Sequence, residues 1–535
     1  MRLRPAAVSP AGGLWLAAVA GALQALSISW PGTGQAHGWL QILSLVLLGG
    51  VLARLALSRR SGDLAAIPER AVLIATAKRT AVFAVFWLAG VFWWLHVSMH
   101  QVGGLPAPLS VAAVLLLAFA LGLYYVGAAT LWVALVRRAQ WGQRPLAASV
   151  LFAALWLLAE LLRARWFTGF PWGAGGYAHV DGWLAAAAPW VGVYGMGALA
   201  AGLAMRLALL RMGPALVTQR RGRALLLMAL MLAGVAHLPD ADRFTRSAGS
   251  AQVELLQANI SQTDKFDAGR GVRDALFWYA ERLTGSRQPL VIAPETAIPL
   301  LPHHLPPGYW KALQAHFAQG QQLALVGLPW GDAVQGYSNS LVALGPQGQT
   351  ESRYDKFHLV PFGEFVPTGF GWFVRQMQIP LGDFARGSVH QPSIEWQGQR
   401  LAPNICYEDL FGEELSARFG PGEQAPTALV NVSNIAWFGN TVAVDQHLNI
   451  SRLRAMELGR PMLRATNTGA TAIIDHRGQV QGLLPRFTRG SLTGTFEGRE
   501  GLTPYARWAA AFGLWPLWAL ALLVVAWAAL AARRR

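Results

Sequence analysis

The stretch RLAPNICYEDLFGEELSARF, Arg400 to Phe419, changes character at Cys406. Before the cysteine lies a short, largely apolar run; after it the residues take a helical pattern. The reading is a buried strand that closes on a cysteine at a strand-to-helix turn. Working outward, similar short runs that end in polar residues recur: VELLQANI from Val253, PLVIAPE from Pro289, LALVGLP from Leu323, SLVALG from Ser340, ALVNVSN from Ala428 and TAIIDHRG from Thr471. They alternate with helical patterns, which predicts an α/β unit with a largely buried sheet, and roughly 250 residues are ample for one core. Two Gly-containing turns, Gly345 to Gly348 and Asp475 to Gly478, follow apolar runs and predict strand returns.

Three of these ends carry chemistry. Glu295 follows PLVIAP, Lys356 lies in SRYDKFHLVPFGEFVP, and Cys406 is the single cysteine of the chain. One cysteine excludes an intramolecular disulfide framework and any Cys-clustered metal site. Taken singly, a lone cysteine reads as a buried small apolar residue, Glu295 as the cap of a helix starting at Thr296, and Lys356 as a surface partner of Asp355 or Glu364. Together they form a set. Functional side chains of α/β folds gather at the carboxyl ends of strands, so the three can converge across separations of 61 and 50 residues. At its turn Cys406 faces the N–H groups of Tyr407 and Glu408, expected to lower the thiol pKa and bind an oxyanion. A carboxylate then supplies the proton acceptor, and an ammonium meets developing negative charge. His447 is read as structural rather than as half of a Cys-His dyad, and no spacing suits a catalytic metal.

The rest of the chain is of another kind. The 535 residues are 53% hydrophobic and 13% charged, with a formal charge of +16. Residues 240 to 507 hold 23 Lys and Arg against 24 Asp and Glu, a net of −1; the remainder holds 21 against 4, a net of +17. The basic excess therefore belongs to the apolar part, and high pI is no argument for nucleic acid. Eight apolar segments are long enough to span a bilayer, near 14 to 30, 39 to 57, 80 to 97, 108 to 136, 146 to 162, 184 to 210, 223 to 238 and 508 to 531. Arginines and lysines mark alternate connections, including Arg59, Arg60, Arg70, Lys78 and Arg79, while 31 to 38 and 98 to 107 contain neither. This distribution predicts both termini in the cytoplasm and residues 240 to 507 outside. The apolar run from Leu14 is followed by no A-x-A site, which argues against a cleaved signal peptide. Glu160 and Arg163 have the spacing of a local ion pair on one helix. The domains expected are thus a seven-helix membrane part, 1–239; an outer catalytic domain, 240–507; and a last span with a cytoplasmic tail, 508–535.

The motifs APETAIP, YDKFHLVPFGEFVP and NICYEDLF resemble the Glu, Lys and Cys motifs of the nitrilase superfamily, whose fold is an αββα sandwich. Their wording, with TGFPWGAGGY at 168 to 177, VNVSNIAWFGN at 430 to 440 and RLRAMELGRPMLRATNTG at 452 to 469, is similar to the bacterial apolipoprotein N-acyltransferase family over nearly the whole chain. The resemblance implies an eight-helix membrane bundle joined to that sandwich in a bacterial inner membrane, with the catalytic domain periplasmic. It implies Glu295 as general base, Lys356 as oxyanion stabiliser, Cys406 as nucleophile and Glu364 as a supporting carboxylate, with Tyr407 and Glu408 supporting the site. Two departures stand out: Phe266 where the family frequently has Trp, and Ile435 where it frequently has Asp. No polar role is expected at 435.

The activity so implied is transfer of an acyl chain from the sn-1 position of a phospholipid, through a cysteine thioester, to the α-amine of a lipoprotein's diacylglyceryl-cysteine, by a monomer without cofactor. Withdrawing acyl chains into water costs about 0.8 kcal/mol per CH₂, so the reaction centre is expected at the bilayer's outer surface. Phe266, Phe370, Trp372, Phe373, Trp437 and Phe438 are candidates to touch lipid, or else to pack the core; the loop 166 to 177 is expected at the same cleft. The competing readings are a membrane-tethered amidase acting on a small periplasmic amide, and a transporter. The latter needs polar residues at membrane mid-depth, of which the spans offer little.

Overall fold

The computed structural model describes residues 10–58, 68–141, 144–212, 229–230, 232–262, 265, 270–332, 334, 336–346, 352–374 and 383–534. The chain forms two compact units, one of Met1–Trp93, Val111–Leu238 and Leu514–Arg535, the other of Trp94–Ser110 and Pro239–Gly513.

The first unit is helical. Lipid offers backbone N–H and C=O groups no partner, so apolar stretches close their hydrogen bonds internally. Among the described residues six helices are long and apolar enough to cross a membrane: Gly38–Ala56, Glu69–Phe92, Ala107–Arg138, Pro145–Thr168, Trp183–Leu210 and Trp515–Arg533. A shorter apolar helix, Gly12–Ile28, stands at the first expected span; the seventh, 223 to 238, falls partly outside the described residues. Two expected boundaries move. The third helix begins at Glu69 rather than near residue 80, because backbone hydrogen bonding continues past the apolar stretch into residues read as a charged connection. Its Glu69 pairs with Arg138 at 3.3 Å. At the other end, residues read as the start of the last span form a separate helix, Pro504–Phe512, stopped at Gly513, whose φ of +55° is left-handed.

Glu160 and Arg163 both serve the loop that follows their helix. The Gly175 N–H and the Trp156 indole donate to the Glu160 carboxylate at 2.9 and 3.1 Å. Arg163 donates to the carbonyls of Phe170 and Trp172 at 3.1 and 2.8 Å. The expected local ion pair gives way to two clamps on a buried loop, since each charge finds backbone partners that would otherwise be unsatisfied. Within that loop Trp172 is buried and Phe167 is 92% exposed.

The second unit is a sandwich of two six-stranded sheets. The first runs β12-β1-β2-β3-β4-β5, formed by β1 (Thr245–Gln257), β2 (Leu290–Ile292), β3 (Leu323–Asp332), β4 (Gly336–Leu344), β5 (Arg353–Asp355) and β12 (Gly490–Gly501). The second runs β11-β10-β9-β8-β7-β6, from β6 (Ile394–Trp396), β7 (Gln399–Ile405), β8 (Ala428–Ser433), β9 (Met462–Thr466), β10 (Ala472–Ile474) and β11 (Val480–Leu483). The parallel centres β1-β2-β3 and β7-β8-β9 are buried on both faces, which is why they read as continuous apolar runs. Alternation sorts each strand. Leu323 and Leu325 meet Ala428, Val430 and Val432 between the sheets, whereas Ala324 and Val326 face helices Gly271–Gly285 and Tyr309–Gln319 through Leu276, Leu283, Leu313 and Phe317. On the far side Leu429 and Ala472 pack on Ala455, Leu458, Tyr505 and Ala509. Helix, sheet, sheet and helix give the αββα layering that the resemblance implies. The Asp475–Gly478 turn joins the antiparallel β10 and β11, with Gly478 at φ +76°. Strand β12, with its polar, Gly-rich sequence, escapes an apolar-run reading, yet it pairs with β1 along eleven positions from Gln257 to Thr245.

Candidate active site

Strand β7 ends at Ile405, and Cys406 takes a left-handed φ of +54° before the short 3₁₀ turn Cys406–Leu410. For a residue with a Cβ this conformation costs about 1–3 kcal/mol, so the surroundings must enforce it. Glu408 does part of this. Its carboxylate accepts from the Ile405 N–H at 2.6 Å, from the N–H groups of Phe357 and His358 at 2.7 and 3.0 Å, and from the Tyr354 hydroxyl at 2.9 Å. One buried carboxylate thereby ties the cysteine turn to the segment that leaves β5. Lys356 lies between two of its tethers.

Lys356 is 1% exposed. Its Nζ meets Glu364 Oε1 at 3.0 Å and Glu295 Oε1 at 3.4 Å. The Asn339 side-chain amide, on β4, donates to the same two carboxylates, at 2.8 and 2.7 Å. Glu295 follows β2, with Thr296 at φ +49°, so the chain turns there instead of starting a helix. Its second oxygen accepts from the Asn434 N–H beyond β8 at 2.7 Å. Glu364 is also fixed by the Val360 N–H at 2.8 Å. Asp355, the surface partner considered for Lys356, instead pairs with Arg353 at 2.9 Å and accepts from Ser340 at 2.6 Å.

Burial alone would raise the Glu295 pKa. The charge of Lys356, the Asn339 amide, Lys265 and the Asn434 N–H together hold it below the ordinary carboxylate value. Burial alone would likewise lower the Lys356 pKa, yet Glu364 and Glu295 keep it above the usual lysine value. The thiol departs from expectation. Burial pushes the Cys406 pKa up, Glu295 pushes it further, and Lys356 only partly opposes them. The neighbouring N–H groups do not outweigh a low-dielectric setting with several carboxylates. The free site thus holds a protonated thiol beside an ionised carboxylate.

The structure brings Glu295, Lys356, Glu364, Cys406 and Glu408 together. Tyr407 packs against the stacked rings of His358 and Phe411, at 5.6 and 5.3 Å. Phe370 and Trp372 are exposed, Trp437 is half-buried, and Ile435 is buried among Val444 and Ala470. Phe266 lies outside the described residues, as does the side chain of Phe373. His447 Nε2 contacts the carbonyl oxygen of Cys406 at 3.2 Å and Asp409 at 2.9 Å, which is no catalytic dyad arrangement.

Sequence reading missed Asn339, Tyr354 and Lys265. Asn339 sits in a run read simply as a strand, with nothing local to mark it. Lys265 is buried, its Nζ donating to the Glu295 carbonyl at 3.2 Å, and burial takes its pKa down to about 8 against the pull of Glu295 and Cys406. Its burial is a tertiary fact that one sequence does not carry.

Comparison with known proteins now bears on this geometry. Residues 253–504 match the carbon-nitrogen hydrolase family, and residues 20–206 match the apolipoprotein N-acyltransferase N-terminal domain. An apolipoprotein N-acyltransferase of Verminephrobacter eiseniae is 53% identical over 512 residues, covering 93% of this chain and 92% of that one. One from Ralstonia nicotianae is 44% identical, covering 93% and 90%, and one from Bordetella bronchiseptica is 41% identical, covering 88% and 91%. With both halves matched in order, and relatives of that name aligned over nearly the whole chain, the chain belongs to the apolipoprotein N-acyltransferase family of membrane acyltransferases.

Proposed function

We propose that this acyltransferase takes its acyl chain from the sn-1 ester of a phospholipid and stores it as a thioester on Cys406 before lipoprotein N-acylation. In the first step Glu295 accepts the thiol proton as sulfur attacks the ester carbonyl. Lys356 stabilises the oxyanion, and the proton passes to the departing glycerol oxygen to leave a lysophospholipid. In the second, the α-amine of the lipoprotein's diacylglyceryl-cysteine attacks the thioester; Glu295 takes an amine proton and returns it to the sulfur. Covalent storage lets two lipid substrates use one site in turn. Glu364 and Asn339 hold the base and the ammonium in register. The reading extends to a monomer in the bacterial inner membrane, both termini cytoplasmic, residues 240–507 periplasmic.

The observation that carries this reading is the buried set of Lys356, Glu295 and Glu364 bridged by Asn339, with the Cys406 thiol in their field. The directions of the two shifts leave Glu295 ionised and the thiol protonated, so the acceptor and the proton it takes are both present at the start of attack. The test is intact-mass measurement after incubation with a defined phospholipid and no acceptor. The expected result is one fatty-acyl mass on Cys406, and none in the Cys406→Ser variant, with insertion and folding retained. An active enzyme that never carries that mass would defeat the thioester intermediate, and full acyl transfer by Cys406→Ser would defeat the nucleophile assignment.

A further inference from the structure

Beneath the cysteine turn lies a second buried polar cluster that the proposed proton relay does not use. The carbonyl oxygen of Cys406 receives two side-chain contacts, from Asn431 Nδ2 and from His447 Nε2, each at 3.2 Å. Both groups are ambiguous in isolation: an amide can turn its oxygen inward, and a neutral imidazole carries its proton on either nitrogen. Arg464 removes the ambiguity. Its guanidinium has no acceptor, so its contact with His447 Nδ1 at 2.8 Å makes that nitrogen the acceptor and puts the proton on Nε2. The same guanidinium donates to Asn431 Oδ1 at 3.0 Å, and Ser433 donates to that oxygen at 2.6 Å, which turns the amide nitrogen toward Cys406. Asp409 closes the cluster, sharing the single Nε2 proton of His447 with the Cys406 carbonyl, at 2.9 Å against 3.2 Å, and accepting from Ser451 at 2.5 Å and from Arg464 at 3.3 Å. All of these side chains are within 1% of full burial. Burial and the adjacent guanidinium also keep the His447 pKa below the ordinary histidine value, in accord with a neutral ring.

We infer that His447 is a positioning residue: with Asn431, and oriented by Arg464, it holds the Cys406 carbonyl and so fixes the left-handed turn that presents the sulfur for attack. This rests on Cys406 being the nucleophile, as proposed above. Glu408 secures the turn from its N-terminal side through the Ile405 N–H; the His447 and Asn431 pair secures the carbonyl that follows the strained φ. A residue under the turn touches no substrate, so its loss should slow both chemical steps and leave the KM for the acceptor unchanged.

The test uses the full-length protein in detergent with a dioleoyl phospholipid as donor and a synthetic diacylglyceryl-cysteine peptide as acceptor. Single-turnover mass spectrometry follows acyl-Cys406. His447→Leu, which removes the donor, is expected to slow acylation by about 10- to 100-fold per folded molecule, the scale of an ångström-sized misplacement. His447→Gln, which keeps an N–H donor near the Nε2 position, should recover most of that loss, with acceptor KM unchanged in both. Equal rates for the leucine variant and wild type, or equal deficits for leucine and glutamine, overturn the inference. The milder Ser451→Ala loosens Asp409 and should slow acylation several-fold; a normal rate there overturns it even where the leucine variant does not fold. Wild-type protein that never acylates Cys406 refutes the nucleophile assignment instead.

Discussion

At the scale of single residues, the site is an arrangement of charges that would be costly apart. Lys356 is buried between two carboxylates, where an unpaired charge of either sign costs several kcal/mol. The same carboxylates oppose thiolate formation and, with burial, make Cys406 resist ionisation. The alkylation rate of Cys406 by iodoacetamide should therefore keep rising with pH past about 9, without the plateau of a low-pKa thiol. The sign of the lysine's effect is fixed as well: Lys356 lowers the thiol pKa, so Lys356→Met should raise it and slow alkylation at every pH below that value. A plateau near neutrality, or faster alkylation in Lys356→Met, would contradict this electrostatic picture. Cys406, Glu295 and Lys356 were legible because their types and their motifs are distinctive. Asn339 and Lys265 were not, because their importance lies in what folds against them.

Among the elements, β2, β5 and β7 deliver Glu295, Lys356 and Cys406 just beyond where they stop, and β4 adds Asn339 from its middle. Gly327 on β3 shows how little room that leaves. A Cβ there would stand 2.9 Å from Glu295 Cα and from the Thr296 nitrogen, and against the Pro294 carbonyl. Backbone cannot give way as the end of a flexible side chain can, so Gly327→Ala should displace Glu295. A loss of about 10- to 100-fold in acyl transfer is expected, with a lowered Tm and an unchanged span topology. Activity within twofold of wild type would show that the Glu295 turn tolerates displacement. The parallel strands could be read from their apolar runs, since burial on both faces leaves no alternation to confuse with a helix. Strand β12 could not, because a polar, Gly-rich edge strand looks like a loop until β1 is beside it.

The whole molecule joins a nearly neutral catalytic unit to a strongly basic helical one, and the proposed orientation follows from that asymmetry. It is testable in a Cys406→Ser background, where any introduced cysteine is the sole target. Thr33→Cys, at an exposed position, should react with an impermeant maleimide added outside intact spheroplasts, and Ser58→Cys only after permeabilisation; the reverse pattern would invert the topology. By itself the sequence determined which stretches are apolar enough to be helices in lipid, which side their basic flanks favour, and which motifs place the chain near the nitrilases. These are properties of composition and local order, fixed before any folding. Only the tertiary structure decided that residues 94–110 fold with the catalytic unit, that the last expected span breaks at Gly513, and that Arg464 aims two donors at the carbonyl of Cys406. Such facts depend on the burial of groups far apart in the chain, because hydrogen bonds and charges acquire their strength, and their direction, only once water has been excluded around them.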